Sequence, residues 1–331
     1  MSATTNASSE VPSASAVWLK RLLGCGIGAV LIVLLFAALD WTGTDYAYLA
    51  AYTVVQFILL ATAWNILGGY AGYVNFGTAA FFAIGCYTTV FCYKAFQLPL
   101  LATLPISAVL AGLVGLGTGY LTLRLRGVFF SICTLAMAVV LQTLVTNWNY
   151  VGGSRGAYIL RPESVPLFGS YSRFLFAIML AMAIGSVLLA RHIERTWLGR
   201  GLAAIRDEEL AAESSGVPAL RLKLIATSLS GALMGLAGTP FPYFITYVDP
   251  TTAFSLNIAV NTIAMPLIGG TATWLGPVVG ALLLGIIQQW VTVTISSSLN
   301  LMIVGVLLVL FVAVAPNGMV GFVQGLRRRK A

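Results

Sequence analysis

Residues 99–122 read PLLATLPISAVLAGLVGLGTGYLT, twenty-four positions without one charged side chain. As a helix this run rises about 36 Å at 1.5 Å per residue, and a hydrocarbon layer is about 30 Å thick. A helix keeps its backbone hydrogen bonds to itself, so it is the natural form for such a run in lipid.

Working outward, similar apolar runs fill most of the chain. Ten spans are predicted, over 22–39, 47–67, 76–93, 99–122, 128–147, 172–190, 224–245, 256–270, 276–294 and 299–315. Of the 331 residues, 59% are hydrophobic and 8% are charged. A soluble domain carries about 25% charged residues, so this composition needs lipid around it. The 34 glycines fit close helix packing in a bilayer. The expected fold class is an all-α polytopic membrane protein of about ten transmembrane helices.

Charge placement orients the spans. With the N-terminus inside, an even number of crossings returns the C-terminus inside. Lys20, Arg21, Arg124, Arg126, Arg191, Arg195, Arg200, Arg206, Arg221, Lys223, Arg327, Arg328, Arg329 and Lys330 then lie in cytoplasmic segments. Only Lys94, Arg155, Arg161 and Arg173 lie outside, as the positive-inside rule demands. The net charge of +8 is thus spread between apolar spans, which argues against nucleic acid as a partner and for membrane lipid.

Three regions follow. Residues 1–16 are polar, rich in Ser, Ala and Thr, and read as a disordered cytoplasmic tail. Residues 17–326 form the transmembrane domain, its first helix an uncleaved span. Residues 327–331 are a basic tail. Within the domain, 148–171 is a long outer loop and 191–223 a long, charged inner one.

The four cysteines, Cys25, Cys86, Cys92 and Cys133, fall in apolar runs without a C-x-x-C pair and read as small buried hydrophobes. His192 is the only histidine, which excludes a multi-histidine metal site. It reads as a solvated loop residue.

A faint internal repeat joins Val74-Asn-Phe-Gly-Thr-Ala79 to Val248-Asp-Pro-Thr-Thr-Ala253, at an offset of 174, with Ile84 and Ile258 in the same register. The first copy follows an inward-running span and the second an outward-running one. That is the pattern of an inverted repeat.

Leu202 to Ser215 has helix-forming composition, ended by Gly216 and Pro218. Leu202, Ile205 and Ala212 fall near one face. Four acids between Arg206 and Glu213 make it a poor partner for anionic lipid. A short helix with an apolar stripe and a charged rim is read as docking into a partner's groove. There is no G-x-x-x-x-G-K-[ST] phosphate loop, and no Asp, Glu or Lys sits near a predicted span centre. Energy for active transport would come from elsewhere.

The Gly-rich stretch from Leu67 to Gly77 is either a cytoplasmic turn or irregular backbone lining a cavity. In the second case Asn65, Asn75 and Thr78 face a polar path. Asn257 and Asn261, with Gln142, Asn147, Gln288 and Gln289, either line that path or bond between helices. Gly115/Gly119, Gly231/Gly235 and Gly276/Gly280 read as helix-packing pairs. Arg155, Arg161 and Arg173 are either membrane-flanking charges or a docking patch for an acidic partner.

Three stretches together resemble the LivM-type permease of bacterial branched-chain amino acid ABC importers. They are Leu67-Gly-Gly-Tyr-Ala-Gly72 through Ala79–Tyr87, Leu123-Arg-Leu-Arg-Gly-Val-Phe-Phe-Ser-Ile-Cys-Thr-Leu-Ala136, and Gly199-Arg-Gly-Leu-Ala-Ala-Ile-Arg-Asp207 through Gly231, with Ile268-Gly-Gly270 and Leu275-Gly-Pro277. The likeness covers about residues 45–315.

The resemblance implies a heterodimer with a second permease subunit, two cytoplasmic ABC ATPase subunits and a periplasmic substrate-binding protein, in the bacterial inner membrane. It implies no catalysis and no cofactor in this chain, with ATP and Mg bound by the ATPases. It makes Ala203, Ala204, Ile205, Arg206, Asp207, Glu209, Ala211 and Ala212 the coupling helix. The substrates implied are branched-chain amino acids or related small amino acids and amides. One departure is Tyr73-Val-Asn-Phe-Gly-Thr78, where the family pattern is Gln-x-Ser-x-Gly-His. It falls where substrate passes and leaves the substrate open. An uncoupled channel or secondary carrier is the alternative reading, and a membrane enzyme a weaker one.

Overall fold

In the computed structural model, residues 45–160, 164–165, 169–294, 300–314, 318–319 and 321 are described. The predicted first span and both terminal tails lie outside them. The chain divides into two compact units, Met1–Tyr48 and Leu49–Ala331, and the helical body belongs to the second.

Helix α1 is Asp45–Gly68, α2 Thr78–Phe96, α3 Leu100–Thr122, α4 Val128–Thr146 and α5 Tyr171–Arg195. Two short helices follow, α6 Trp197–Asp207 and α7 Glu209–Ser214. Then come α8 Ala219–Gly238, α9 Phe241–Ile245, α10 Pro250–Ala253, α11 Leu256–Gly269, α12 Leu275–Thr294 and α13 Asn300–Val314. Eight spans among the described residues, counting α8–α9 and α10–α11 as one each, are long and apolar enough to cross a membrane. They fall where the second to ninth spans were expected, and the shorter α13 falls on the tenth.

The connections gather at two ends. Arg206 reaches the carbonyl of Gly69, Arg126 meets Glu209, and the Trp274 N–H donates to Glu194. The loops after α1, α3, α5 and α11 therefore share one end, the basic one. At the far end, Lys94 donates to the Tyr150 carbonyl, and β1 (Ala157–Tyr158) pairs antiparallel with Tyr247–Val248. A second two-residue pair, Ser164–Val165 with Gly169–Ser170, is the other strand pair among the described residues. This alternation matches the order of crossings read from the sequence.

The repeat extends well beyond the motif. Adding 174 to the first residues of α1, α2, α3 and α4 gives 219, 252, 274 and 302. Helix α8 begins at Ala219, α10 contains Thr252, α12 begins at Leu275, and α13 contains Met302. α1 ends at the basic end, whereas α8 begins there, so the copies run in opposite senses. Asn75 and Asp249 hold equivalent positions and do similar work. Asn75 Oδ1 accepts the Gly77 N–H at 2.7 Å, and Asp249 accepts from Thr251 and Thr252.

Small residues hold the body together. A Cβ at Gly85 would overlap the carbonyl of Gly235, and one at Gly238 would overlap that of Phe82, so α2 and α8 meet backbone to backbone. Gly115 faces Thr227, and Ser228 Oγ donates to the Gly112 carbonyl at 2.9 Å, closing α3 on α8. Gly276 and Gly280 press on Gly270 and Met265. The glycine pairs are packing contacts, as expected. Cys86 and Cys92 are buried free thiols, and Cys133 is half-buried.

The predicted seventh span, 224–245, is not one helix. It breaks at Thr239–Pro240, because proline supplies no N–H to the ladder. The freed carbonyls are satisfied by side chains. Gln56 Nε2 donates to Ala237 at 3.1 Å, and Thr89 Oγ1 donates to Thr239 at 2.9 Å.

Candidate functional site

The charged inner loop forms two helices rather than the single one expected over Leu202–Ser215. Glu208, in extended backbone at φ −159°, separates α6 from α7. Gly216 ends α7 in the left-handed region, at φ 85°, with Val217 N–H donating to the Ala212 carbonyl at 3.0 Å.

The apolar stripe of these helices faces this chain's own body. Leu202, Ile205 and Ala212 are buried at 0%, 3% and 5% exposure. Ala203 and Ala204 are half-buried. Assigning Ile205 and Ala212 to a partner's groove is therefore corrected: burying them here already satisfies the stripe. The face turned outward carries Asp207, Glu208, Leu210, Ala211 and Glu213.

Arg206 and Glu209 tie this element to the interior. The Arg206 guanidinium donates to the Gly69 carbonyl at 3.3 Å and lies 3.5 Å from Asp207. Gly72, at φ 76°, lets the backbone turn beside the Arg206 side chain. Glu209 accepts from Lys223 Nζ at 2.8 Å and from the Tyr73 hydroxyl, with Arg126 at 3.6 Å. Lys223 also donates to Tyr73 at 3.0 Å and lies 4.6 Å from its ring centre. Partial burial opposes ionisation of Glu209, but the bonds from Lys223 and Tyr73 outweigh it and hold the carboxyl below its usual range. Burial, then the neighbouring Glu209 carboxylate, pushes the Tyr73 phenol up.

Tyr73 begins an extended segment that turns back into the body. Trp64, a turn before the end of α1, donates its indole N–H to the Asn75 carbonyl at 2.9 Å. Ser131 Oγ and Thr134 Oγ1 of α4 bond the backbone of Val74 and Phe76. Asn75 is 2% exposed. The Gly-rich stretch thus folds back onto α1 and α4 and is largely buried in protein, a setting in which irregular backbone keeps its polar groups bonded.

Asn65 and Thr78 are buried beside it, at 1% and 0% exposure. The segment borders a void of about 10 Å³ lined by Asn75, Thr118, Thr134 and Thr227, among others, which is room for about one water. Of the three, Asn75 lines the void, Thr78 begins α2 just after it, and the Asn65 side chain lies beside Gly69 and the Thr271 carbonyl. Asn261 is not with them: its Oδ1 accepts from Gln288 Nε2 at 2.8 Å, a buried bond between α11 and α12. Asn257 is exposed at the start of α11.

Arg155 and Arg173 are exposed at the far end. The Arg155 carbonyl accepts from the Tyr247 hydroxyl at 3.0 Å, and the Arg173 N–H donates to Ser170 Oγ at 3.4 Å. Arg161 lies outside the described residues. His192 is exposed in the last turn of α5, on the helix rather than in a loop.

Long apolar helices, opposed repeats and a broken span define a multi-pass membrane protein. The sequence model of the family described as branched-chain amino acid transport system / permease component matches residues 46–312, and the chain belongs to that family. The chain is 26% identical over 318 residues to the high-affinity branched-chain amino acid transport system permease protein LivM of Escherichia coli K12, covering 87% of this chain and 74% of that protein. It is 25% identical to the probable branched-chain amino acid transport permease protein LivH of Methanocaldococcus jannaschii, over 75% and 82% of the two chains. It is 28% identical to the autoinducer 2 import system permease protein LsrC of Yersinia enterocolitica, over 55% and 51%. No solved structure matches. The chain is an ABC transport permease, a multi-pass protein of the inner membrane, and a transport component rather than an enzyme.

Proposed function

We propose that this chain forms half of the translocation pathway of an ATP-driven importer of branched-chain amino acids or related small amino acids and amides. A second permease subunit, two ABC ATPases and a periplasmic binding protein complete it, and ATP with its Mg is held by the ATPases. The basic end faces the cytoplasm. The observation that carries this reading is the linkage of the loop helices to the buried segment from Gly69 to Gly77, through Arg206 to Gly69 and through Glu209 to Tyr73 and Lys223. A movement of α6–α7 imposed by an ATPase is passed to the backbone at Tyr73–Gly77, where the void is narrow. Such a bistable element is what alternating access needs.

The test is uptake of labelled leucine by the complete importer in proteoliposomes, with and without ATP. Uptake that requires ATP, and that Arg206→Glu uncouples from hydrolysis, supports the reading. Uptake by this chain without an ATPase establishes the channel or carrier instead.

A further inference from the structure

The broken span opens a second feature at the far end. A crevice of about 370 Å³ lies between α1, α2 and the segment from α9 to α11. Its floor is apolar and buried, built from Leu60 and Phe82, with the rings of Phe241 and Phe244 on one wall. Its mouth carries the exposed hydroxyls of Thr251 and Thr252, with Thr53, Gln56 and Ser255 between.

We propose that this crevice is the outward-facing solute subsite of the permease, taking a small zwitterionic or neutral molecule with a short aliphatic body. The inference rests on the importer reading and locates its substrate. Four observations carry it. The volume falls within the range of about 300–1,000 Å³ typical of ligand pockets. α1 belongs to the first repeat and α9–α11 to the second, and carriers built from opposed repeats hold solute where the copies meet, beside interrupted helices. No charged residue lines the crevice, so an apolar body enters without meeting an unpaired charge; the Thr251 and Thr252 hydroxyls at the rim donate to Asp249, so what they offer an ammonium group is oxygen acceptors. Finally, this crevice of about 370 Å³ has room for a small solute, whereas the void of about 10 Å³ beside Asn75 has room for about one water.

The aromatic wall sets the size of the body accepted. Phe244 stacks on Tyr52 with ring centres 4.4 Å apart, and Phe82 meets Phe241 edge-on at 5.0 Å. Gln56 has its amide group engaged by the Ala237 carbonyl at 3.1 Å and the Tyr52 hydroxyl at 3.4 Å, which fixes its side chain at the floor.

The test uses the complete importer in proteoliposomes with saturating binding protein, and labelled leucine and labelled alanine as probes. ATP-driven uptake by the unaltered importer reports on the earlier reading. The crevice variants, each compared with that importer, report on the subsite alone. Ile258→Trp, which fills the crevice from α11, is expected to lower leucine uptake by about tenfold. Phe244→Ala, which enlarges it, is expected to change the leucine-to-alanine rate ratio by about threefold or more. The ratio is measured only on assembled, working complexes, so misfolding does not mimic it. An unchanged ratio in Phe244→Ala, together with undiminished uptake in Ile258→Trp, overturns the proposal.

Discussion

Lys223 Nζ lies 2.8 Å from Glu209 Oε1, joining the first turns of α8 to the start of α7 across 14 residues of sequence. The pair is enclosed: the side chains are 3% and 13% exposed. Tyr73 completes it by donating to Glu209 and accepting from Lys223. Glu209→Gln leaves a buried ammonium without its counter-charge. The expected loss is about 3 kcal/mol, the cost typical of breaking a buried pair from one side. Glu209→Gln combined with Lys223→Met is expected to recover part of that loss, because no unpaired charge remains. A double-mutant cycle on thermal unfolding of the purified protein checks this. Strictly additive single and double variants would remove the pair from the account.

The same contact makes a pH prediction. The folded-state pKa of Glu209 is lowered, so its stabilising effect is fully present above the ordinary glutamate value of about 4.3. It fades as pH falls through the lower, folded-state value. Thermal stability of the wild type is therefore expected to drop on acidification below about pH 4, and the drop to be smaller in Glu209→Gln. Measuring melting temperature against pH for both proteins settles the sign.

Glycine placement gives a third prediction. At Gly85 an added methyl group meets the Gly235 backbone, which cannot yield, whereas at Gly117 nothing lies within 4 Å. Gly85→Ala is expected to destabilise by about 2 kcal/mol or more, through forced separation of α2 and α8. Gly117→Ala is expected to be neutral or to gain up to about 1 kcal/mol of helix propensity. Detergent-solubilised yield and melting temperature distinguish them.

The spans were legible because each is an apolar run of 15 to 24 residues with at most one charge, a signal that tertiary contacts do not overwrite. The break at Thr239–Pro240 was not read, although Pro240 and Pro242 are plain in the sequence, because hydropathy continues unbroken across it. The short motif around Val74 and Val248 pointed to the repeat, but only the helix boundaries show its extent. For the site, periodicity identified the apolar stripe Leu202, Ile205 and Ala212 without saying which surface it meets. Nor did it foretell that Glu209 would find Tyr73, 136 positions away. Asn261 is open in the sequence to lining a path or bonding between helices, and its buried bond to Gln288 is of the second kind. A polar side chain in an apolar run marks a partner without identifying it.

The direction of the loop helices yields the last prediction. Leu210 is 58% exposed and the Asp207 side chain 74% exposed, while Ile205 is 3% exposed. If the outward face meets the ATPase, Leu210→Asp and Asp207→Lys act on the interface and leave the fold alone. Both variants are expected to reach the membrane at wild-type levels. Their ATPase co-purification and leucine uptake are expected to fall by about tenfold or more, the equivalent of about 1.4 kcal/mol or more of docking energy. Ile205→Asp buries an unpaired carboxylate under the stripe, and its expected failure is in folding, seen as lost membrane accumulation. Had the stripe faced the partner, the pattern would reverse, with Ile205→Asp folding normally and losing the ATPase. Co-purification normalised to membrane-inserted protein, measured for all three variants, separates these outcomes.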